Sequence, residues 1–236
     1  MELVAQRIYK KILPLIEGHT EGIYWDFKRT LCDTSEIIKD VLAFSNSAYP
    51  GDSYIIVGVG ESSNRRRHKI SLCTKDRQRL GTDANYIYLP QKWDLHGLSA
   101  KDIEKMQVFS QTLTQKVRNA MLISQPTLEY IPIQIKRTRW IYVIVVKKVH
   151  GVFISKKDLK NNNGKTVVKQ GVLYVRSADT TAGSDESNVT SADEHIRVWM
   201  DYINYLSINP NGKFRLVFNN EPKIGDQKNE STWPID

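Results

Sequence analysis

Residues 21–28, Glu-Gly-Ile-Tyr-Trp-Asp-Phe-Lys, bring two carboxylates and an ammonium into one short stretch. The segment alternates as a strand does, with Ile23, Trp25 and Phe27 on one face and Tyr24, Asp26 and Lys28 on the other. Glu21 reaches the Asp26 face if the chain turns at Gly22. Hard carboxylate oxygens suit Mg2+ or Mn2+, and the Lys28 ammonium suits a phosphate as a point charge. Asp26 and Lys28 equally read as a solvated ion pair on an exposed sheet face, an arrangement that is common and worth little. Tyr24 can stack on an unpaired base or cover a sheet edge.

The chain carries 236 residues and a net charge of +8, with a pI near 9.3. That balance fits a polyanionic partner, nucleic acid before an anionic membrane surface. Arg65, Arg66, Arg67 and Lys69, with Lys147 and Lys148, are candidates for contacts to a nucleic-acid backbone. Such contacts give affinity and salt dependence without sequence choice. No stretch approaches the ~20 apolar residues that cross a bilayer, and the N-terminus has no apolar signal region. Cys32 and Cys73 stand far apart, which excludes a disulfide scaffold and a thiolate zinc site and fits a reducing cytoplasmic compartment. The sequons at Asn188 and Asn229 then read as chance matches.

Several elements must position the 21–28 segment. Val4, Ile8, Ile12 and Ile16 recur at helical spacing over residues 2–17, with Pro14 ending or kinking that helix. Asp33-Thr-Ser-Glu36 is an acidic cap for a helix with Ile37, Ile38, Val41, Leu42 and Phe44 inward, ending near Ser47. Residues 54–59 form a continuous apolar run, as expected of a strand buried on both faces. Residues 74–98 have no clear period and read as an insertion. Ser99 caps a helix running to about Ser124, with Ile103, Met106, Phe109, Leu113, Val117 and Met121 inward. Strands follow at 128–136 and 140–148, with further strand segments at 152–155 and 167–176. A capping box at Ser191 opens a helix with Ile196, Trp199, Ile203 and Leu206 inward. The order predicts an α+β, mixed-sheet domain over residues 1–208, with a polar tail or linker over 209–236.

Two nucleotide-binding patterns fail. Gly164-Lys165-Thr166 lacks the glycine that a phosphate loop needs at position 159, which is leucine, so Asn163-Gly164 reads as a hairpin turn. Gly58-Val-Gly60 has no third glycine and no helix pattern after it. The histidines at 19, 68, 96, 150 and 195 form no metal-ligand spacing.

What remains is a series in order: Glu21-x4-Asp26-Phe27-Lys28, then Ala43-Phe44-Ser45-Asn46, then Ile55-Ile-Val-Gly-Val59 with Gly60-Glu61. Last comes Gly171-Val-Leu-Tyr-Val-Arg176-Ser-Ala-Asp-Thr-Thr-Ala182. The series resembles the Schlafen-type AlbA-like domain over about residues 15–200. That resemblance implies a compact mixed α/β fold with flanking helices that binds nucleic acid across a basic face. Some family members cut transfer RNA or other structured RNA with three carboxylates and a divalent cation. Carried over by position, the carboxylates are Glu21, Asp26 (where glutamate is usual) and Glu61, with Asp52 a weaker alternative for the third. They would hold Mg2+ or Mn2+, with Lys28 offsetting phosphate charge. Arg176 reads as a phosphate clamp or as an ion-pair partner of Asp179 or Glu186. The resemblance implies a nucleic-acid-binding protein with metal-dependent endonuclease activity, RNA preferred, in a prokaryotic defence setting. Its rival is a non-catalytic DNA-binding, regulatory or complex-assembly module. A second copy of the chain or another protein chain is a further candidate partner, and no membrane is expected.

Overall fold

The computed structural model describes residues 2–18, 21–61, 68–89, 93–176 and 192–208. In chain order α1 (Glu2–Glu17), β1 (Trp25–Lys28), α2 (Thr34–Ser45), β2 (Ser53–Val57) and β3 (Gly60–Glu61) come first. They are followed by β4 (His68–Ser71), α3 (Thr74–Leu80), β5 (Tyr86–Leu89), β6 (Trp93–Asp94) and α4 (Ala100–Ala120). The remainder is β7 (Thr127–Lys136), β8 (Arg139–Lys147), β9 (Leu159–Lys160), β10 (Thr166–Val168) and α5 (Ala192–Ile208).

The fold is α+β around a mixed sheet of order β1-β2-β8-β7. β1 and β2 are parallel and joined through α2, while β2–β8 and β8–β7 are antiparallel. Strand alternation sends side chains to two cores. Tyr54, Ile56, Ile141, Val143, Val145 and Phe27 pack with Ile8, Tyr9, Ile12 and Ile16 of α1. Ile55, Val57, Tyr142, Ile144 and Val146 pack with α2 and α4. A sheet covered on both faces explains why β2 is apolar without a break. Gly58 ends that strand at φ 106°, in the left-handed half of backbone space that a Cβ disfavours.

Several sequence-based expectations change. Pro14 lies inside α1, which runs one turn past it; Leu15 and Ile16 stay buried and hold that turn against the core. α4 stops at Ala120, four residues early, where Met121 turns extended and Leu122 hydrogen-bonds to Ile154 instead. The aperiodic 74–98 stretch contains α3 and the β5 side of a ribbon with β4. α3 has almost no apolar stripe; its ends are set by Asp76, which accepts from the Cys73 N–H at 3.3 Å, and by Gly81 at φ 64°. Residues 152–155 make isolated bridges and not a strand.

The inward face of α5 is the expected one in part, for Trp199 and Leu206 pack against the core there. Val198 and Tyr202 are its buried residues, while Ile196 and Ile203 are 61% and 50% exposed. The apolar arc of α5 is wider than the face it buries, so Ile196 and Ile203 fall at its solvent edge. The tail 209–236, the cap at Ser191 and both sequons lie outside the described residues. Among the described residues no helix is long and apolar enough to cross a membrane.

Candidate functional site

β1 is an edge strand whose Phe27 enters the α1 core, so Asp26 and Lys28 face α2. The Lys28 Nζ lies 2.8 Å from Asp26 Oδ2 and 2.9 Å from Asp40 Oδ2 of α2. Arg176 arrives from the far end of the chain. Its Nη1 and Nη2 both donate to Asp26 Oδ1 at 3.1 Å, and Nη2 is 3.5 Å from Glu21 Oε2. The guanidinium lies over Phe44, 5.0 Å from the ring centre, and the Arg176 N–H donates to Ala43 O at 3.1 Å. Glu21 is placed by the turn expected at Gly22, whose N–H donates to Trp25 O at 3.3 Å. A Cβ at Gly22 would sit 2.2 Å from the Trp25 ring, so a larger residue there would displace that ring. The Glu21 Oε1 then accepts from the Phe27 N–H at 3.2 Å.

The Ala43-Phe44-Ser45-Asn46 run has a physical reading at three positions. Ala43 takes the Arg176 amide, Phe44 underlies its guanidinium, and Asn46 stitches two loops to α2. The Asn46 Nδ2 donates to Phe153 O at 2.9 Å and Tyr174 O at 3.0 Å, and its Oδ1 accepts from the Phe153 N–H at 3.0 Å. Tyr174 thereby fixes the strand-like segment that carries Arg176.

Burial, with the Asp26 charge next in size, pushes the Glu21 carboxyl from 4.5 up to about 6; the Phe27 N–H, Arg176 and Lys28 oppose it. Burial and then Asp26 also raise Asp40, against Lys28 and Arg176. Burial alone would lower Lys28, but Asp40 and Asp26 outweigh it and keep the ammonium charged far above the usual range. The Cys32 thiol nearby is pushed up to about 11, chiefly by burial, which makes it a poor nucleophile. A folded-state value above the unfolded one means folding favours protonated Glu21. Its ionisation therefore lowers stability as pH rises from about 4.5 through about 6. After discounting for partial exposure, the effect is about 1 kcal/mol. Glu21→Gln should thus gain on wild type by that amount between pH 4.5 and pH 7 in urea melts; a gap independent of pH would show that Glu21 keeps an ordinary pKa.

The sequence-derived residues Glu21, Asp26, Lys28 and Arg176 converge. Asp40 joins them and was missed, because one aspartate at a polar position of an amphipathic helix gives no sign that it faces β1. Asp179 and Glu186, weighed as partners of Arg176, lie outside the described residues, as do Arg65, Arg66 and Arg67. Of Glu61 the structure describes the backbone, which pairs in β3 with Trp93. Tyr24 does not share the Asp26 face. It precedes β1, packs on the α1 core and stacks on Tyr49 at 4.2 Å. Lys147 pairs with Asp52 at 2.7 Å and Lys148 donates to Ser47 O at 2.8 Å, so the two do not form one patch. Asp52 is committed to Lys147 and the Lys148 N–H rather than to Glu21 or Asp26. Lys69 lies over the Tyr86 ring at 4.6 Å in the β4–β5 ribbon.

The third carboxylate expected here, Glu61, has its side chain outside the described residues. Both oxygens of Asp26, whose side chain is 5% exposed, face cations of the protein itself. Among the described residues no three His, Cys, Asp or Glu side chains are grouped to hold an ion. The arrangement is an ion network of three carboxylates and two cations that ties β1, α2 and the Arg176 segment together.

Exposed positive charge lies elsewhere. Residues 156–171, which include β9 and β10, carry Lys156, Lys157, Lys160, Lys165 and Lys169 against Asp158, and all five lysines are exposed. The hairpin is fastened to the start of α2, where the Ser35 hydroxyl donates to Lys160 O at 2.8 Å and Asp33 accepts from the Asn162 N–H at 3.0 Å.

No curated protein matches this chain at a significant level. Among solved structures it is similar to the N-terminal domain of a RecG-related protein from Nitrosomonas europaea. That likeness has 15% identity, covers 76% of this chain and 94% of that one, and has a TM-score of 0.38. The family model described as Schlafen, AlbA_2 matches residues 21–183, a span that takes in β1, the ion network and Arg176. The chain belongs to the Schlafen AlbA_2 family.

Proposed function

We propose that this protein is a nucleic-acid-binding module that grips phosphates with the lysine-rich β9–β10 hairpin and uses its buried carboxylates as structure. Family membership supports a nucleic-acid-related function. The observation that carries the reading is the division of charge. Lys28 and Arg176 are spent on Asp26, Asp40 and Glu21, whereas Lys156, Lys157, Lys160 and Lys169 are exposed on a ribbon hydrogen-bonded to the start of α2. A divalent ion at Asp26 would have to displace one of two cations already there. A metal-dependent nuclease is the rival reading, favoured by the mutual repulsion of Glu21 and Asp26, which a displaced Arg176 would leave facing one another.

The test is binding of labelled tRNA and of single- and double-stranded DNA across a salt series, in Mn2+, Mg2+ or EDTA. Binding should persist in EDTA. The Lys156→Ala/Lys157→Ala/Lys160→Ala variant should flatten the salt dependence by roughly one unit of slope for each of these lysines that meets a phosphate. An unchanged slope in a folded triple variant would remove the hairpin from the interface.

A further inference from the structure

A groove of about 710 Å3 opens at the carboxyl end of α2, walled by residues 148–151 and by α5. Its lining includes no residue of the ion network and none of the β9–β10 hairpin. Three independent features converge on it.

The first is a pair of cations with donors to spare. Lys148 and Arg197 both line the groove, the Lys148 Nζ donating to Ser47 O at 2.8 Å and the Arg197 Nη2 to Asn46 O at 2.9 Å. An ammonium carries three N–H donors and a guanidinium five, so both keep donors after anchoring. Burial and then the Arg197 charge lower the Lys148 pKa, with Asp201 opposing. Asp201 is 3.3 Å from the Arg197 Nη1 and is itself well exposed. An anion between the two cations relieves their repulsion.

The second feature is a pair of hydroxyls. Ser45 and Ser47 line the groove, are 5% and 2% exposed, and have no hydrogen-bond partner for Oγ among the described residues. Leaving a buried hydroxyl unsatisfied is costly. The third is an aromatic stack in the lining, where His150 and Tyr205 lie face to face with ring centres 4.7 Å apart and planes 10° apart. The volume falls within the roughly 300–1,000 Å3 of small-ligand sites.

We infer that this groove binds a nucleoside phosphate, the phosphate held by Lys148, Arg197 and the Ser45 and Ser47 hydroxyls and the base extending the His150–Tyr205 stack. The same chemistry is offered by a free mononucleotide and by the phosphorylated end of a strand. The inference does not depend on the hairpin.

The experiment titrates the full chain with AMP, UMP, inorganic phosphate, and a trinucleotide with or without a 5′-phosphate, followed by calorimetry. Saturable nucleotide binding should be roughly tenfold or more tighter than inorganic phosphate. Arg197→Gln and Tyr205→Leu should each weaken it by about tenfold. Ser47→Val fills the floor without touching a charge, so loss of binding in this variant with α5 still folded separates occupancy from helix undocking. The Lys156/Lys157/Lys160 triple variant should bind nucleotide like wild type even if strand binding is lost. A 5′-phosphorylated trinucleotide that outbinds both its 5′-hydroxyl form and AMP assigns a strand end; equal affinity with AMP assigns a free nucleotide. No saturable binding of any probe, or binding that survives both Arg197→Gln and Ser47→Val, overturns the inference.

Discussion

Asp26→Ala should lower the free energy of unfolding by about 3–5 kcal/mol, the usual result of deleting a single partner from a buried ion network. Asp26 is 4% exposed and meets Arg176 on one oxygen and Lys28 on the other. Alanine leaves a guanidinium that is 11% exposed with Glu21 at 3.5 Å as its remaining carboxylate. Lys28 keeps Asp40, so most of the loss falls on Arg176. In urea the midpoint should drop with the slope unchanged. The double variant Asp26→Ala/Arg176→Met should recover a large part of the loss, since the stranded charge is then gone. A loss below about 1 kcal/mol, with no coupling between the two positions, would class these as solvent-screened pairs.

Asn46→Ala should cost about 3 kcal/mol or more. The side chain is 3% exposed and bonds Phe153 O, Tyr174 O and the Phe153 N–H. Alanine strands three buried backbone groups, each worth about 1–3 kcal/mol when unsatisfied. The effect should reach beyond stability: amide exchange at Phe153 should accelerate, and the segment carrying Arg176 should loosen from α2. Wild-type protection at Phe153 in a folded variant would contradict this account of the motif.

These two residues also mark what can be read from the chain and what cannot. The turn at Gly22 and the shared face of Asp26 and Lys28 follow from local alternation, and both are present. The helix after Asp33 and the unbroken apolar run of β2 are legible because burial on two faces leaves a strong compositional trace. Arg176 stands 150 positions from Asp26, and local pattern gives no handle on such a pairing; the sequence offers Arg176 only as a phosphate clamp or a partner of Asp179 or Glu186. Asp40 is invisible for a related reason: helical period separates apolar from polar positions but does not say which polar residue meets a strand edge. Tyr24 departs from the expected face because it lies in the turn before β1, which begins at Trp25 rather than at Ile23. α5 packs Trp199 and Leu206 inward as its period suggests, while Ile196 and Ile203 lie exposed because its apolar arc is wider than the buried face. The lysine-rich hairpin reads only as a turn in the sequence, since charge on a loop gains meaning once the loop is seen fastened to α2.

The most direct test of the central claim is cleavage. Labelled tRNA and single- and double-stranded DNA, at concentrations where binding is established, should give no product in Mn2+ or Mg2+ above the EDTA control. Metal-dependent product that disappears in folded Glu21→Gln and Asp26→Asn variants, with binding retained, would contradict the account and make the network a catalytic centre held closed by Arg176.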